Sequence, residues 1–275
     1  MRLLRGEIRK LAKRPAAFVT LGIQLAIIAL IYLAVALRYG QTVGGGGGES
    51  EAGRLGMRLL LTFPGAYAGA LGLVTGLGGL LALAFGGAAA GADWGWGMVK
   101  VAVARGESRA RYVLAKLVGV ELFVAIGFAI AIVVAIGAAF LAATYAGLPT
   151  SGVSDSEVLG KLPEQLVRGF LGMAEQAAIG FAIATVARSQ LAGLGAGIAL
   201  YFVEQFASVF LADLVKYFPF HVAQASLRLT VPGGGGGGGL TTPLDPDLSL
   251  ALVVTYLVVA AAIAALFVER SEISG

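Results

Sequence analysis

The stretch that decides the fold is residues 112–145, which read YVLAKLVGVELFVAIGFAIAIVVAIGAAFLAATY. After Lys116 it carries only one charged residue, Glu121. A helix needs about 20 mostly apolar residues to cross the roughly 30 Å hydrocarbon core of a bilayer. This run is longer, so it predicts a spanning helix that tilts or projects beyond the membrane. It also exceeds the roughly 10-residue strands of a membrane β-barrel, which excludes that class.

The whole chain has the composition of a membrane protein. Of its 275 residues, 58% are hydrophobic and 13% are charged, whereas a soluble domain carries about 25% charged residues. A single soluble domain and a disordered chain are therefore excluded. We predict an all-α integral membrane protein that forms one transmembrane domain over residues 1–275. Its six predicted spans are residues 16–37, 65–90, 112–145, 165–187, 191–212 and 248–268.

The distribution of basic residues predicts the orientation. With six spans, 13 of the 20 Lys and Arg residues fall on the side of the two termini. The positive-inside rule then places both termini in the cytoplasm. The first apolar run, of about 22 residues, is too long for a cleavable signal, whose apolar region has about 7–15. We therefore expect the first span to be a retained anchor.

The N-terminal segment 1–14 precedes that anchor. Met1, Leu4, Ile8 and Leu11 recur at helical spacing among basic residues, and Pro15 follows. The pattern predicts a short amphipathic helix in the inner headgroup layer, ended by the proline. The alternative is a plain positively charged flank.

The chain lacks the residues of several enzyme classes. It has no Cys and one His, His221, which excludes thiolate chemistry and a His-rich metal site. It contains no G-x-x-x-x-G-K-[ST] phosphate loop. Glycine runs at 44–48 and 233–239 are typical of flexible linkers. An intramembrane protease would need convergent Ser, His or Asp groups. We therefore expect no catalytic residue, cofactor, metal or nucleic-acid partner.

Two features inside the spans are candidates for function. The second span carries glycines at an average spacing of 3.5 residues, which lets another helix approach closely and predicts a helix-packing seam. This seam either packs against another helix of the chain or slides during a transport cycle. Its residues are Gly65, Gly69, Gly72, Gly76 and Gly79. Glu175 and Glu204 lie 13 and 14 residues from the turn at 188–190, so both should lie about 20 Å from it. Intramembrane carboxylates usually face the bundle interior or water. They are either a polar patch on a substrate path or a hydrogen-bonded packing pair.

The segment 91–116, GADWGWGMVKVAVARGESRARYVLAK, joins spans 2 and 3. Its tryptophans suit the membrane–water boundary. We predict a short helix over 98–104 and a new helix starting near Ser108, which is the expected N-cap. A short helix presented to the cytoplasm is suited to docking a partner protein. The alternative is an ordinary basic loop.

This segment resembles the permease subunits of type-2 ABC exporters. Their pattern after span 2 is roughly an acidic residue, G-T-L-R, G-x-S-R and then A-K entering span 3. The matching positions are Asp93, Gly97, Lys100, Arg105–Gly106, Ser108–Arg109 and Ala115–Lys116. Met98 stands where Thr is common, and Lys100 where Arg is common. The basic N-terminal start and Arg188-Ser189-Gln190 also resemble the family.

The resemblance implies a transport subunit in a prokaryotic cytoplasmic membrane. Two six-span permeases would form the export path, and separate ATPase subunits would hold ATP and Mg. Segment 1–14 would be the elbow helix, 91–111 the coupling loop, and 213–247 an extracellular segment with short helices. The residues expected to bind the ATPase are Asp93, Trp96, Gly97, Lys100, Arg105, Gly106, Ser108 and Arg109.

The sequence leaves three questions open. A membrane anchor or scaffold that recruits a cytoplasmic complex without transport is the alternative function. The transported substrate is not indicated by any set of side chains. The second permease copy is either identical or a related chain.

Overall fold

A computed structural model describes residues 2–43, 51–98, 101, 104, 106, 108–228 and 244–271. These residues form helices and turns, with one short 3-10 helix at Ser151–Ser154, and they contain no strand. The helices are α1 (Arg2–Lys13), α2 (Pro15–Val43), α3 (Glu51–Leu61), α4 (Gly65–Gly95), α5 (Arg109–Tyr145), α6 (Ser156–Ala187), α7 (Gln190–Phe210), α8 (Ala212–Val215), α9 (Pro219–Ala225) and α10 (Pro246–Arg270).

Six of these helices, α2, α4, α5, α6, α7 and α10, are long and apolar enough to cross a membrane. The prediction of a multi-pass, all-α membrane protein with six apolar helices is confirmed at this level. Five of the six observed helices extend beyond the predicted spans, whereas α7 ends at Phe210, two residues before the predicted end of its span. For example, α6 begins at Ser156 rather than near residue 165, and α4 runs on to Gly95.

Local sequence explains where several helices begin. The carboxylate of Asp155 accepts hydrogen bonds from the backbone N–H groups of Glu157 and Val158 at the start of α6. Asp245 does the same for α10, and the Ser189 hydroxyl accepts from Ala192 N at the start of α7. These side chains satisfy amide donors that have no partner within the helix. Ser108 occupies the predicted N-cap position of α5, but its side chain makes no capping hydrogen bond.

The centre of the bundle is the pair α4 and α6, which pack more extensively on one another than any other two helices. Within their most apolar stretches, 67% of α6 and 50% of α4 is buried, against 17% of α2 and of α7. In a membrane the exposed apolar side chains of the outer helices face lipid, so they carry no water-solvation penalty. The two central helices therefore form the frame on which the outer helices are placed.

The bundle has two ends, named here by what they carry. The termini end holds α1, the last turn of α4, the first turn of α5, the α6–α7 turn and the end of α10. The opposite end holds α3, α8 and α9. Helix α3 was not predicted from the sequence. Helices α8 and α9 lie in the segment predicted to be extracellular, and α9 packs against α4, α6, α7 and α10.

Candidate functional site

The termini end is built around a buried carboxylate, Asp93, near the end of α4. Asp93 is 2% exposed. Its Oδ1 accepts a hydrogen bond from Nη2 of Arg14 at 3.0 Å, and its Oδ2 accepts one from the hydroxyl of Tyr112 at 2.5 Å. Lys116 Nζ forms an ion pair with the same Oδ2. One carboxylate thus joins the start of α2, the end of α4 and the first turns of α5.

Helix α1 packs on α5 beside this cluster. Leu11 is 1% exposed and faces Gly119, where a Cβ would lie 3.3 Å from Leu11 Cδ1. Glu7, 3% exposed, lies on the same face and accepts a hydrogen bond from Lys10 Nζ at 2.5 Å. The buried face of α1 therefore includes a carboxylate as well as part of the predicted apolar stripe. Of that stripe, Met1 and the side chain of Leu4 lie outside the described residues, and Ile8 is half-buried.

The predicted coupling segment carries an exposed tryptophan three residues after Asp93. Trp96 is 66% exposed, and the guanidinium carbon of Arg14 lies 4.7 Å from the centre of its ring. A cation over an indole face is attracted by the ring quadrupole, so Arg14 holds both Asp93 and Trp96. Gly97 and Gly106 have φ values of 64° and 80°, which glycine adopts without strain. Lys100 and Arg105 lie outside the described residues.

Arg109 has a partner inside the chain at the other end of this segment. Its Nη1 donates a hydrogen bond to the backbone oxygen of Ser271 at 2.7 Å, just beyond the end of α10. A cation is favourable there because unsatisfied carbonyls give a helix C-terminus a partial negative charge. Ser108, immediately before it, is exposed. The predicted partner-binding residues therefore divide into a buried anchor, Asp93, an intrachain clamp, Arg109, and exposed positions such as Trp96 and Ser108.

A second clamp at the termini end was not predicted. Arg188 is in the left-handed backbone region, with φ 51°, at the turn between α6 and α7. Its guanidinium carbon lies 5.2 Å from the ring centre of Trp94 and 5.4 Å from that of Phe267. The turn is thereby held against the ends of α4 and α10. The sequence offered a signal in Arg188 and Trp94, but nothing local indicated that they meet.

The two carboxylates predicted inside the spans are both buried. Glu175 on α6 and Glu204 on α7 are 0% exposed. Glu204 accepts hydrogen bonds from Phe220 N at 3.1 Å and forms a 3.2 Å contact with His221 Nδ1. Neither oxygen of Glu175 has a hydrogen-bond partner among the described residues. Glu204 thus holds the residues at the start of α9, whereas no hydrogen bond among the described residues accounts for the burial of the Glu175 carboxylate.

Helix α9 is the element that Glu204 holds. Its Phe220 and Val222 are buried, and Ala223 lies against Gly172 of α6, where a Cβ would come within 3.1 Å. Gln224 reaches Thr75 of α4 at 3.5 Å. Irregular backbone is tolerated at membrane depth where it is buried in protein. The segment predicted to be extracellular thus includes a short helix that enters the bundle.

The glycine seam makes close contact only in part. A Cβ at Gly65 or Gly69 would press on Leu59 or Leu60 of α3, whereas at Gly76 and Gly79 it would make ordinary contacts with side chains. The carbonyl of Gly72 accepts a hydrogen bond from Thr75 within α4. The closest helix approach lies further along the chain. A Cβ at Gly86 would fall 2.1 Å from Ala177 O, and one at Gly180 would fall 2.0 Å from Leu83 O.

At the opposite end, a cluster of ion pairs that the sequence did not predict joins α6 to α10. Arg168 is 6% exposed and donates to Glu164, to Asp247, and to the carbonyls of Ser226 and Pro246. Arg228 pairs with the same two carboxylates. Two cations and two anions thus connect the residues on both sides of the second glycine run.

Glu121 is the one charged residue that follows Lys116 in α5. Its carboxylate oxygens have no hydrogen-bond partner within the described part of the chain, and Lys116 is paired with Asp93 instead. Across the described ranges, no three His, Asp or Glu side chains are grouped so that they could hold a metal ion.

In comparisons with known proteins, no family model matches this chain, and no curated protein matches it at a significant level.

Proposed function

We propose that this chain is the permease subunit of an ATP-driven exporter of the type-2 ABC kind. Two copies, or this chain and a related one, form the path across a prokaryotic cytoplasmic membrane. Both termini lie in the cytoplasm, and ATP is hydrolysed on separate ATPase subunits. The motif at residues 93–116 and the six apolar helices support this proposal.

The observation that carries the proposal is the Asp93 cluster. A docked ATPase can move the spans only if the segment it binds is rigidly joined to them. Asp93 joins the beginning of this segment to α2 and α5 through Arg14, Tyr112 and Lys116. Arg109 joins its end to α10. A displacement of the segment would therefore be passed to four of the six spans at once.

In the proposed mechanism, the ATPase contacts the exposed positions and not the buried anchor. Trp96 is the largest exposed side chain of the segment in the described residues, and aromatic residues are enriched at the energetic centres of interfaces. ATP-driven closure of two ATPases would draw the segments together. The Asp93 cluster and the clamp at Arg188 would convert that movement into rotation of the helices.

Helix α1 fits the role of an elbow helix that lies along the inner headgroup layer. Arg9 and Lys13 are exposed, whereas Leu11 faces α5. Arg9 and Lys13, on the exposed face of α1, would meet the anionic lipids of the cytoplasmic leaflet. Because Arg14 links the end of α1 to Asp93, movement of the elbow and of the coupling segment would be connected.

The test is affinity purification of the tagged chain from cells that naturally express it, followed by mass spectrometry and a stoichiometry measurement. We expect a P-loop ATPase at near one copy per permease. Trp96→Ala should lose that ATPase while the permease remains folded. The matched control is Tyr145→Ala, which removes an aromatic side chain that is 69% exposed at the opposite end of α5.

Two outcomes would count against the proposal. Recovery of intact permease without any ATPase would favour the anchor or scaffold function. Equal loss of the ATPase in Trp96→Ala and Tyr145→Ala would show that the termini end is not the docking surface.

A further inference from the structure

A cavity of about 150 Å³ lies between α2, α4 and α5. Its walls are mostly apolar, and Gln24, Gly78 and Met173 meet at one of them. Gly78 allows this meeting, because a Cβ there would come within 2.6 Å of Gln24 Nε2 and 2.8 Å of Met173 Cε. The cavity shares no residue with the Asp93 cluster or with the pair Glu175 and Glu204.

The cavity opens sideways, onto the surface that the helices present to lipid. Phe18 of α2 is 63% exposed at its mouth, and Ile126 and Ile130 of α5 are 49% and 39% exposed. The α2 wall of the cavity runs from Ala17 to Gln24, three to ten residues beyond Arg14, which places the cavity about 5–15 Å from the termini end. Its inner end is near the middle of a hydrocarbon core roughly 30 Å thick. The medium at the mouth is therefore acyl chain.

The polar groups in the wall donate to the backbone and not into the cavity. Gln24 Nε2 donates to Val74 O at 3.2 Å, and the Thr20 hydroxyl donates to Ala16 O at 2.7 Å. An apolar cavity of this size stays dry, because a buried water needs two to four polar partners. Such a cavity holds an apolar molecule of about six carbons.

We propose that this cavity binds the end of one acyl chain of a membrane lipid, which completes the packing of α2 against α4 and α5. The chain enters between α2 and α5 and places about six carbons in the cavity. The attraction is dispersion, because lipid tails are as apolar as leucine and transfer from lipid to protein brings no hydrophobic gain. An empty cavity forfeits those contacts, and α2 is one of the two least buried spans. This inference does not depend on the proposed transport function.

The geometry favours an acyl chain over a headgroup or a polar substrate. No charged side chain lines the cavity. A headgroup would have to leave the membrane surface and lose its hydration, which is costly without a paired charge. An acyl end already occupies this depth.

The test uses the full chain in lipid nanodiscs that contain a phosphatidylethanolamine with a diazirine near the methyl end of one acyl chain. After photolysis, labelled peptides are mapped by mass spectrometry. Peptides covering 17–24 and 123–130 line the cavity. The internal control is α10, where Val258 and Val259 are 57% and 46% exposed and lie about 18 Å from Arg270 at the termini end. We expect labelling of the cavity peptides to exceed that of the α10 peptide, although side chains of the two regions are similarly exposed.

A matched pair of variants tests occupancy directly. Gly127 lines the cavity, and a Cβ added there meets only Leu21 Cδ1, at 3.9 Å, so Gly127→Leu fills the space with a side chain whose Cβ meets no close contact. Gly137→Leu adds the same side chain on the same helix at a site with nothing within 4 Å and outside the cavity. We expect Gly127→Leu to lose most of the label at 17–24 and Gly137→Leu to retain it. Ala17→Leu, which fills the space from α2, is the second variant should Gly127→Leu not fold.

Two results would overturn the proposal. One is labelling that follows side-chain exposure, with the α10 peptide labelled as strongly as the cavity peptides in the wild-type chain. The other is labelling of 17–24 that survives both filling substitutions. The wild-type map alone decides the first point, so the test does not depend on the folding of a variant.

Discussion

Substitution of Asp93 provides the most direct test of the cluster at the termini end. Asp93→Ala leaves Lys116 buried without its anion, since the Lys116 side chain is only 3% exposed. Removing one partner of a buried ion pair costs about 3–5 kcal/mol. The Tyr112 hydroxyl also loses its acceptor. Arg14 adds less, because its side chain is 16% exposed and can turn towards water. We expect a loss of about 4 kcal/mol in the free energy of unfolding.

The assay is equilibrium unfolding in mixed micelles by titration with SDS, followed by circular dichroism. The double variant Asp93→Ala, Lys116→Met removes both buried charges and should recover most of the lost free energy, because an apolar pair of similar volume is often neutral in such a site. The control is Glu157→Ala, whose partner Lys161 is 64% exposed; it should change the free energy little. A loss below about 1 kcal/mol for Asp93→Ala, the value of an exposed ion pair, would refute the buried-cluster reasoning.

Two further predictions concern helix packing and the buried carboxylates. Gly180→Ala should lower the free energy of unfolding, measured in the same assay, by about 1–3 kcal/mol or more, because its Cβ would lie 2.0 Å from Leu83 O. The control Gly137→Ala has open space around it and should not lower the free energy of unfolding. If Glu175 and Glu204 line a substrate path, Glu175→Gln, Glu204→Gln and the double variant should each change the substrate-stimulated ATPase activity of the complex. The control Glu157→Gln, at an exposed carboxylate, should not change it. Unchanged activity in both single variants and in the double variant would exclude the two carboxylates from the substrate path.

The candidate site shows how far patterns in the sequence reach. The six apolar helices and the helix start near Ser108 follow from patterns along the chain, and both agree with the described structure. Asp93 was found by its motif, but its contacts were not. It meets Arg14, which is 79 residues away in the chain. No local pattern encodes a pairing over that distance.

The short helix α3 and the closest contacts between helices could not be predicted from the sequence either. Helix α3 carries two glycines among its 11 residues and follows a glycine run, so its pattern is weak. The glycine seam was placed by its period, whereas the tightest approach is at Gly86 and Gly180. Which glycines meet a neighbouring backbone depends on where two helices cross, and this is set by all of their side chains together.

The sequence by itself determined the class of protein, the number of apolar spans and the positions where buried charges require an explanation. These are local properties, because the cost of placing a polar group in hydrocarbon is read residue by residue along the chain. Only the tertiary structure decided that α9 enters the bundle beneath Glu204, and that Asp93 ties three helices together. It also revealed the cavity between α2 and α5, since a void exists only between surfaces from distant parts of the chain.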